Sequence, residues 1–323
     1  MVERLLPKQK VAGSIPVARF GNNLISMLYP SYLNLTESEW KDRIDRALSF
    51  LESCRVCPHE CKINRLKDEK GFCHTGRYAI VDSYFPHRGE EKPIRGYRGS
   101  GTVFFSYCNM KCVYCQNYQI SQLGEGKEVK PEELAQMFLD LQRMGCHNLN
   151  LVTPSHAVPQ ILEALYIAVK KGFRLPIVYN TSSFDSLESL KLMDGIVDIY
   201  LADLKYANSQ IGRKYSKVKN YWEVATEAIK EMHRQVGDLV LDSNGLAVRG
   251  VIIRHLVLPN GLAGTEKVAE FLRSLSQRMA VNVMDQYYPS YKAWDYPELS
   301  RRITYKEYLQ ALSFVEGLNL VLE

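Results

Sequence analysis

Three thiols lie close together at Cys108, Cys112 and Cys115, separated by three residues and then by two, directly after the apolar run Thr102-Val103-Phe104-Phe105. Thiolates at this spacing can wrap one side of an iron–sulfur cubane, for which cysteine is the usual protein ligand. A cubane has four irons, so three cysteines leave one iron free. A metal with an open position is where chemistry happens, whereas a fully ligated one serves structure or electron transfer. The competing reading is a zinc knuckle completed by His147 or His156, because zinc ligand spacings overlap with this one. Context favours the cluster: the cysteines follow a predicted strand and precede a long alternation of strands and helices that a zinc module would not need.

A second set, Cys54, Cys57, Cys61 and Cys73, is spaced by two, three and eleven residues. Four thiols can close a tetrahedral site, and both zinc and an iron–sulfur cluster accept four thiolates. Such a site would staple a segment too short and polar to fold by burial alone. Because it is saturated, its expected role is structural or electron-relaying. The few apolar residues between Lys62 and Gly71 favour structure, with zinc placed ahead of a second cluster. His59 and His74 are expected beside the metal or at the surface.

At 323 residues the chain can bury a substantial core, and it suits one large α/β domain with a smaller appendage. The expected division is residues 1–97, an N-terminal arm, helix and four-cysteine segment, and residues 98–323, the main domain with a C-terminal helix. The net charge of +5 is modest. Its densest cluster, Arg213 to Lys219, reads as a solvated loop and not as a nucleic-acid patch. No run of eighteen apolar residues exists, so no membrane span is expected. Seven of the eight cysteines sit at metal-ligand spacing, which points to a reducing, cytoplasmic compartment and away from disulfides. Cys146 reads as core.

The elements that must hold these groups follow from periodicity. Residues 1 to about 33 show none and are expected to form an extended arm. Thr36 and Glu39 have capping-box spacing, and Trp40, Ile44, Leu48 and Leu51 then recur on one helical face. Residues 80–93 read as a polar connector, and Gly99 and Gly101 permit a tight entry into the first strand. Downstream, predicted strands at Thr102–Phe105, Leu149–Val152, Ile177–Tyr179, Ile196–Ala202, Val251–Leu258 and Val281–Met284 alternate with helices. One begins at Pro131 with Leu134, Met137, Phe138, Leu141 and Met144 on a face, and others follow through Ile161, Leu190, Tyr221–Val236 and Glu266–Gln277. Such alternation implies right-handed crossovers and a parallel sheet. Six units suggest an open, partial barrel.

Polar residues then fall where a barrel mouth needs them. Asn180 ends the third strand, Asp203 and Lys205 end the fourth, Arg254 and His255 lie late in the fifth, and Gln286 ends the sixth. The carboxyl-end rim of a parallel barrel holds the ligand site. Solvation of strand ends would explain any one of them; four successive strands argue for a site.

The Cys108 triad with an aromatic before its last cysteine resembles the signature of the radical S-adenosylmethionine superfamily. Further phrases resemble its pyruvate formate-lyase-activating-enzyme-like (PflX-like) branch over residues 54–312. They include 98–106, Cys115-Gln116-Asn117, 150–156, 178–182, 198–206, 254–259 and 301–304. The resemblance implies an α/β fold built as a partial parallel (β/α)6 barrel, preceded by the helical, cysteine-rich metal-binding segment. It implies a 4Fe-4S cluster on Cys108, Cys112 and Cys115 and bound S-adenosylmethionine, cleaved by one electron to a 5′-deoxyadenosyl radical. Tyr114 would lie against the adenine, and Asp203 with Lys205 matches the Asp-x-Lys element of activating enzymes. Asn117, Thr153, Asn180, Arg254 and Gln286 are the remaining expected cofactor contacts. Thr153-Pro154-Ser155-His156 stands where many relatives carry Gly-Gly-Glu, and the ferredoxin-like insert of several glycyl-radical activators is missing after Cys115. The implied partners are an electron donor such as flavodoxin or ferredoxin and a protein or peptide substrate.

Three readings follow: activation of a glycyl-radical protein, radical modification of another peptide, nucleic acid or small molecule, and a non-catalytic cysteine-knuckle binding module. The spare iron and the aligned polar strand ends place catalysis ahead of binding alone.

Overall fold

The computed structural model describes residues 29–321. Of the arm expected over residues 1–33, residues 1–28 lie outside them. The remainder is pinned by Ser31, whose amide and hydroxyl donate to Asp198 Oδ1 at 2.9 and 2.7 Å, and by the fully buried Tyr32.

The strands are β1 (Ala79–His87), β2 (Ser100–Phe105), β3 (Lys127–Val129), β4 (Leu149–Val152), β5 (Ile177–Thr181), β6 (Ile199–Asp203), β7 (Val240–Leu241), β8 (Ala247–Leu256), β9 (Ala280–Met284) and β10 (Asn319–Leu320). They form one sheet in the order β10-β9-β8-β6-β5-β4-β2-β1-β3, with β7 hairpinned onto β8. The six parallel strands β2, β4, β5, β6, β8 and β9 are those of the expected partial barrel. Its edges are extended by antiparallel β1 and by β10, which is parallel to β9. Gly101 lets β2 lie against β4, because a Cβ there would stand 2.7 Å from the Asn148 carbonyl oxygen.

Helices α1 (Glu37–Glu52), α2 (Lys92–Arg95), α3 (Pro131–Arg143), α4 (Val158–Lys170), α5 (Leu187–Leu192), α6 (Ser209–Ser216), α7 (Tyr221–Val236), α8 (Thr265–Leu275) and α9 (Tyr305–Phe314) complete the chain. The Thr36–Glu39 capping box starts α1, satisfying end amides that have no partner within the helix. Strand alternation sorts side chains into two sets. Leu151, Tyr179, Tyr200, Ile253 and Val281 join the core shared with the helices. Val178, Ile199, Leu201, Ile252 and Ala280 form a separate cluster inside the barrel, into which Ile94 of α2 inserts.

The expectations for three segments are corrected. Residues 80–93 are not a draped connector. Their first part pairs with β2, and Pro86 is tolerated because β3 covers only Ala79 to Val81, leaving its other side unpaired. Their second part enters the barrel from its foot as α2. The basic cluster from Arg213 is not wholly a solvated loop: its first part forms the last turn of α6, which ends at Ser216, and Tyr215, Ser216 and Val218 are buried. Met144, expected on the buried face of α3, follows the last turn and is exposed.

Candidate active site at the barrel mouth

The loop after β2 carries Cys108, Cys112 and Cys115 to the carboxyl-end rim. Tyr107 takes a left-handed conformation (φ 59°) that turns the chain out of the strand. The loop is docked by the backbone of α6: Lys111 N donates to Ser216 O at 2.9 Å and Val113 N to Tyr215 O at 2.8 Å. Hydroxyls reach two of the sulfurs, with Ser216 Oγ 3.0 Å from Cys112 Sγ and Ser121 Oγ 3.0 Å from Cys115 Sγ. The Met110 amide donates to Cys108 Sγ at 3.3 Å. Burial pushes the Cys108 thiol up to about 12 and the Cys112 thiol to about 11, the latter opposed by Lys205. Protonated thiols are thus favoured until a cation compensates the thiolates, as thiol-ligated metals do.

Opposite the loop stand three charges. Asp203 Oδ1 accepts from Arg254 Nε at 2.7 Å and Oδ2 from Lys205 Nζ at 2.6 Å. Burial alone would raise the Asp203 carboxyl, but Arg254 and Lys205 more than reverse this and hold it below its ordinary value. Arg254 also donates to Asn180 Oδ1 at 2.7 Å. A cavity of about 220 Å³ separates the loop from these charges, lined by Cys112, Tyr114, Cys115, Gln116, Asn117, Asp203, Lys205, Arg254, Leu256, Met284 and Gln286.

The structure therefore gathers Cys112, Cys115, Tyr114, Asn117, Asp203, Lys205, Arg254 and Gln286 around one space, with Asn180 bonded to its wall. Tyr114 is largely a strut, its hydroxyl 2.5 Å from that of Tyr206 and its ring edge-on to Tyr287. Thr153 does not line the cavity; it is left-handed (φ 61°) and its amide donates to Asn180 O. His255 faces away from Arg254, bonded to Leu204 O and Thr265 Oγ1 behind the sheet, as alternation along β8 requires. His156 is buried beneath β2 with Nε2 3.1 Å from Ser106 O, and His147 packs on Tyr97 at the foot, so neither completes a zinc knuckle. Ser216, Ser121 and Tyr206 had no sequence signal beyond ordinary polar residues, because only the packing of α6 and of the turn at Gln119–Leu123 brings them to the thiols.

The four-cysteine segment abuts this loop. It turns through left-handed residues Glu60, Lys62, Asp68 and His74, and Gly71 packs against Cys61, where a Cβ would lie 2.8 Å from the sulfur. His59 stacks on Phe72 at 3.9 Å and its Nε2 lies 2.8 Å from Asn109 O. Lys111 Nζ rests over Phe72 and Tyr107, at 5.4 and 5.7 Å from the ring centroids. Among the described residues no three His, Cys, Asp or Glu side chains converge tightly enough to hold a single ion. A cubane spreads its thiolates over several irons, so the triad fits it by donor chemistry, with Cys112 and Cys115 lining the cavity and Cys108 beside them on the same loop. Zinc would require the four segment thiols to close around one point.

No helix among the described residues is long and apolar enough to cross a membrane. Residues 102–247 match the family model of the Radical SAM superfamily. An uncharacterized protein of Methanocaldococcus jannaschii is 34% identical over 96% of this chain and 86% of its own. A second uncharacterized protein of that organism is 24% identical over 83% and 79%. A solved structure of the FeFe-hydrogenase maturase HydG from Carboxydothermus hydrogenoformans aligns at TM-score 0.46 with 14% identity, covering 65% of this chain and 49% of that one. The family match takes in the thiol loop together with Asp203 and Lys205 on the facing wall, and the chain belongs to the radical SAM superfamily.

Proposed function

We propose that the protein abstracts hydrogen from a substrate bound in the barrel, using a 4Fe-4S cluster on Cys108, Cys112 and Cys115 and S-adenosylmethionine in the adjoining cavity. The observation that carries this is the facing pair: a thiol loop on one wall of the cavity and the Asp203–Lys205–Arg254 group on the other. When bound, the cluster and S-adenosylmethionine supply a 5′-deoxyadenosyl radical. The chain's own residues do the rest. Ser216 and Ser121 stand within hydrogen-bond distance of two sulfurs and would donate to them once these are thiolates, favouring that form. Asp203 offers a carboxylate to an ammonium, while Lys205 and Arg254 offer cations to a carboxylate, which together suit an amino-acid zwitterion. Tyr114 and Asn117 shape the thiol-loop side of the cavity, Gln286 lines it, and Asn180, held by the Thr153 amide, braces the charged wall through Arg254.

Anaerobic reconstitution followed by strong reductant should release 5′-deoxyadenosine and methionine, and Cys112→Ala should not. A fully iron-loaded wild type that makes no more deoxyadenosine than the variant ends this reading.

The finer reading is activation of a glycyl-radical protein, supported by the Asp203-x-Lys205 element, with electrons from a flavodoxin or ferredoxin. A doublet from a glycyl radical in electron paramagnetic resonance of candidate partners, absent with Cys112→Ala, tests it. A catalytically silent cysteine-knuckle module is disfavoured by the charged wall, which such a module would not need. The four-cysteine segment, packed against the barrel and bonded to the thiol loop through His59, is proposed to hold zinc or an auxiliary iron–sulfur cluster.

A further inference from the structure

The barrel lumen is not empty below the charged wall. The chain leaves β1 at its foot, enters the lumen at Glu90 and Glu91, and runs back down as α2, with Ile94 filling the lowest layer among Val178, Ile199, Leu201 and Ile252. The two residues before α2, Glu90 and Glu91, stand above that layer. Glu90 Oε1 accepts from Asn150 Nδ2 of β4 at 3.2 Å, and Glu91 Oε1 from Asn282 Nδ2 of β9 at 3.1 Å. The plug thus spans the lumen from one side to the other and places two carboxylates on the floor of the chamber.

This floor has too few donors. Glu91 is 3% exposed, yet its Oε2 has no hydrogen-bond partner; Asn150 is fully buried and its Oδ1 has none either. A buried acceptor left unpaired costs about 1–3 kcal/mol, more when charged. Arg254, the nearest cation, spends its short bonds on Asp203 and Asn180 and reaches Glu90 only at 3.4 Å and Glu91 at 4.0 Å. Lys205 is taken by Asp203. Three carboxylates therefore share two cations.

The floor also lies beside an open edge of the sheet. The sheet does not close, since no ladder joins β1 or β3 to β9 or β10 among the described residues. On the lumen side of the β1–β2 edge stand Phe85, Phe104 and His87, with Phe85 stacked on Phe104 at 5.5 Å and His87 edge-on to it. Phe85 is exposed and His87 partly so, and aromatic faces attract cations. Glu90, behind them, keeps 8% of its surface in solvent.

We propose that Glu90 and Glu91 form a substrate subsite for a cationic nitrogen group, an ammonium or a guanidinium, entering past Phe85 and His87. The site takes the orphaned acceptors as its partners and balances the excess carboxylate. It rests on the reading that substrate occupies the lumen and adds the substrate's charge. Burial pushes the Glu90 carboxyl up to about 7, opposed by Arg254 and reinforced by Glu91 and Asp203, and His87 Nδ1 lies 3.7 Å from it. A cation bound there displaces the Glu90 proton, so binding strengthens as pH rises from 6 towards 8.

The test uses the full chain without cluster and measures saturable binding of agmatine and cadaverine by calorimetry and thermal shift, against neutral pentanamide and 1-pentanol. The cations should bind and the neutral compounds should not. Glu91→Gln should weaken cation binding at least tenfold, and Glu90→Gln should weaken it and flatten its pH dependence. Glu227→Gln, an exposed carboxylate on α7, should change nothing. Should Glu91→Gln fail to fold, Glu90→Gln alone decides. Absence of saturable cation binding, equal binding of the neutral compounds, or unchanged affinity in a folded glutamine variant overturns the proposal. Deoxyadenosine formation is assayed separately, so loss of the subsite and loss of the radical reading are distinguishable.

Discussion

His59 Nε2 lies 2.8 Å from the carbonyl oxygen of Asn109, the residue that follows Cys108. The four-cysteine segment is therefore bonded to the loop that bears the other thiols, and the ring of His59, stacked on Phe72, makes the contact specific. His59→Phe keeps the stack and removes the bond. It should cost about 1 kcal/mol of stability and lower the iron retained by the Cys108 loop during dialysis. Equal iron retention by variant and wild type would mean that the two segments only touch.

Asp203 joins Arg254 and Lys205 in one mostly buried group. Removing the carboxylate breaks both close ion pairs, taking from Lys205 its carboxylate and leaving Arg254 only its longer contacts to Glu90 and Glu91, so Asp203→Ala should lose about 3–5 kcal/mol in urea unfolding. Asp203→Asn keeps the shape and should fold, with affinity for S-adenosylmethionine down at least tenfold by calorimetry on the reconstituted protein. Arg254→Ala should weaken that affinity as well, with the iron content unchanged. Wild-type affinity in both Asp203→Asn and Arg254→Ala would return these residues to a purely structural role.

The metal proposed for the four-cysteine segment is tested by the triple variant Cys108→Ala, Cys112→Ala, Cys115→Ala. About one zinc per chain without iron supports a structural staple. About four irons with sulfide support an auxiliary cluster. A folded, metal-free variant would show that Cys54, Cys57, Cys61 and Cys73 hold neither.

Burial lowers His255 to about 4, from about 6.5 in an unfolded chain. The folded state therefore binds fewer protons than the unfolded one between those values. The stability that His255 contributes is complete above pH 6.5 and drains away as pH falls towards 4. The margin of wild type over His255→Gln should shrink across that window in urea titrations. A margin constant from pH 7.5 to 4.5 would contradict the neutral, doubly bonded imidazole.

The sequence showed the barrel well because apolar strand runs alternate with helical faces, and all six barrel strands lie where those runs stand. Arg254 and His255 show where sequence reading stops. Both sit late in one strand, and only the register with Asp203 and Asn282 turns Arg254 into the lumen and His255 behind the sheet. Glu90 and Glu91 look like part of a polar connector because their surroundings come from strands far along the chain. Nothing local announces that Asn150 and Asn282 will receive them. Ser216 was hidden for the same reason, inside a basic stretch whose buried face appears only once α6 packs on the thiol loop.

Ser31 grips Asp198 just before β6, and β10 pairs with the start of β9. Both ends of the described chain thus leave from the foot of the barrel, away from the thiol loop. A tether at Val321 would hold the molecule with its mouth towards solution, so protein immobilised there should bind the proposed S-adenosylmethionine as readily as free protein does.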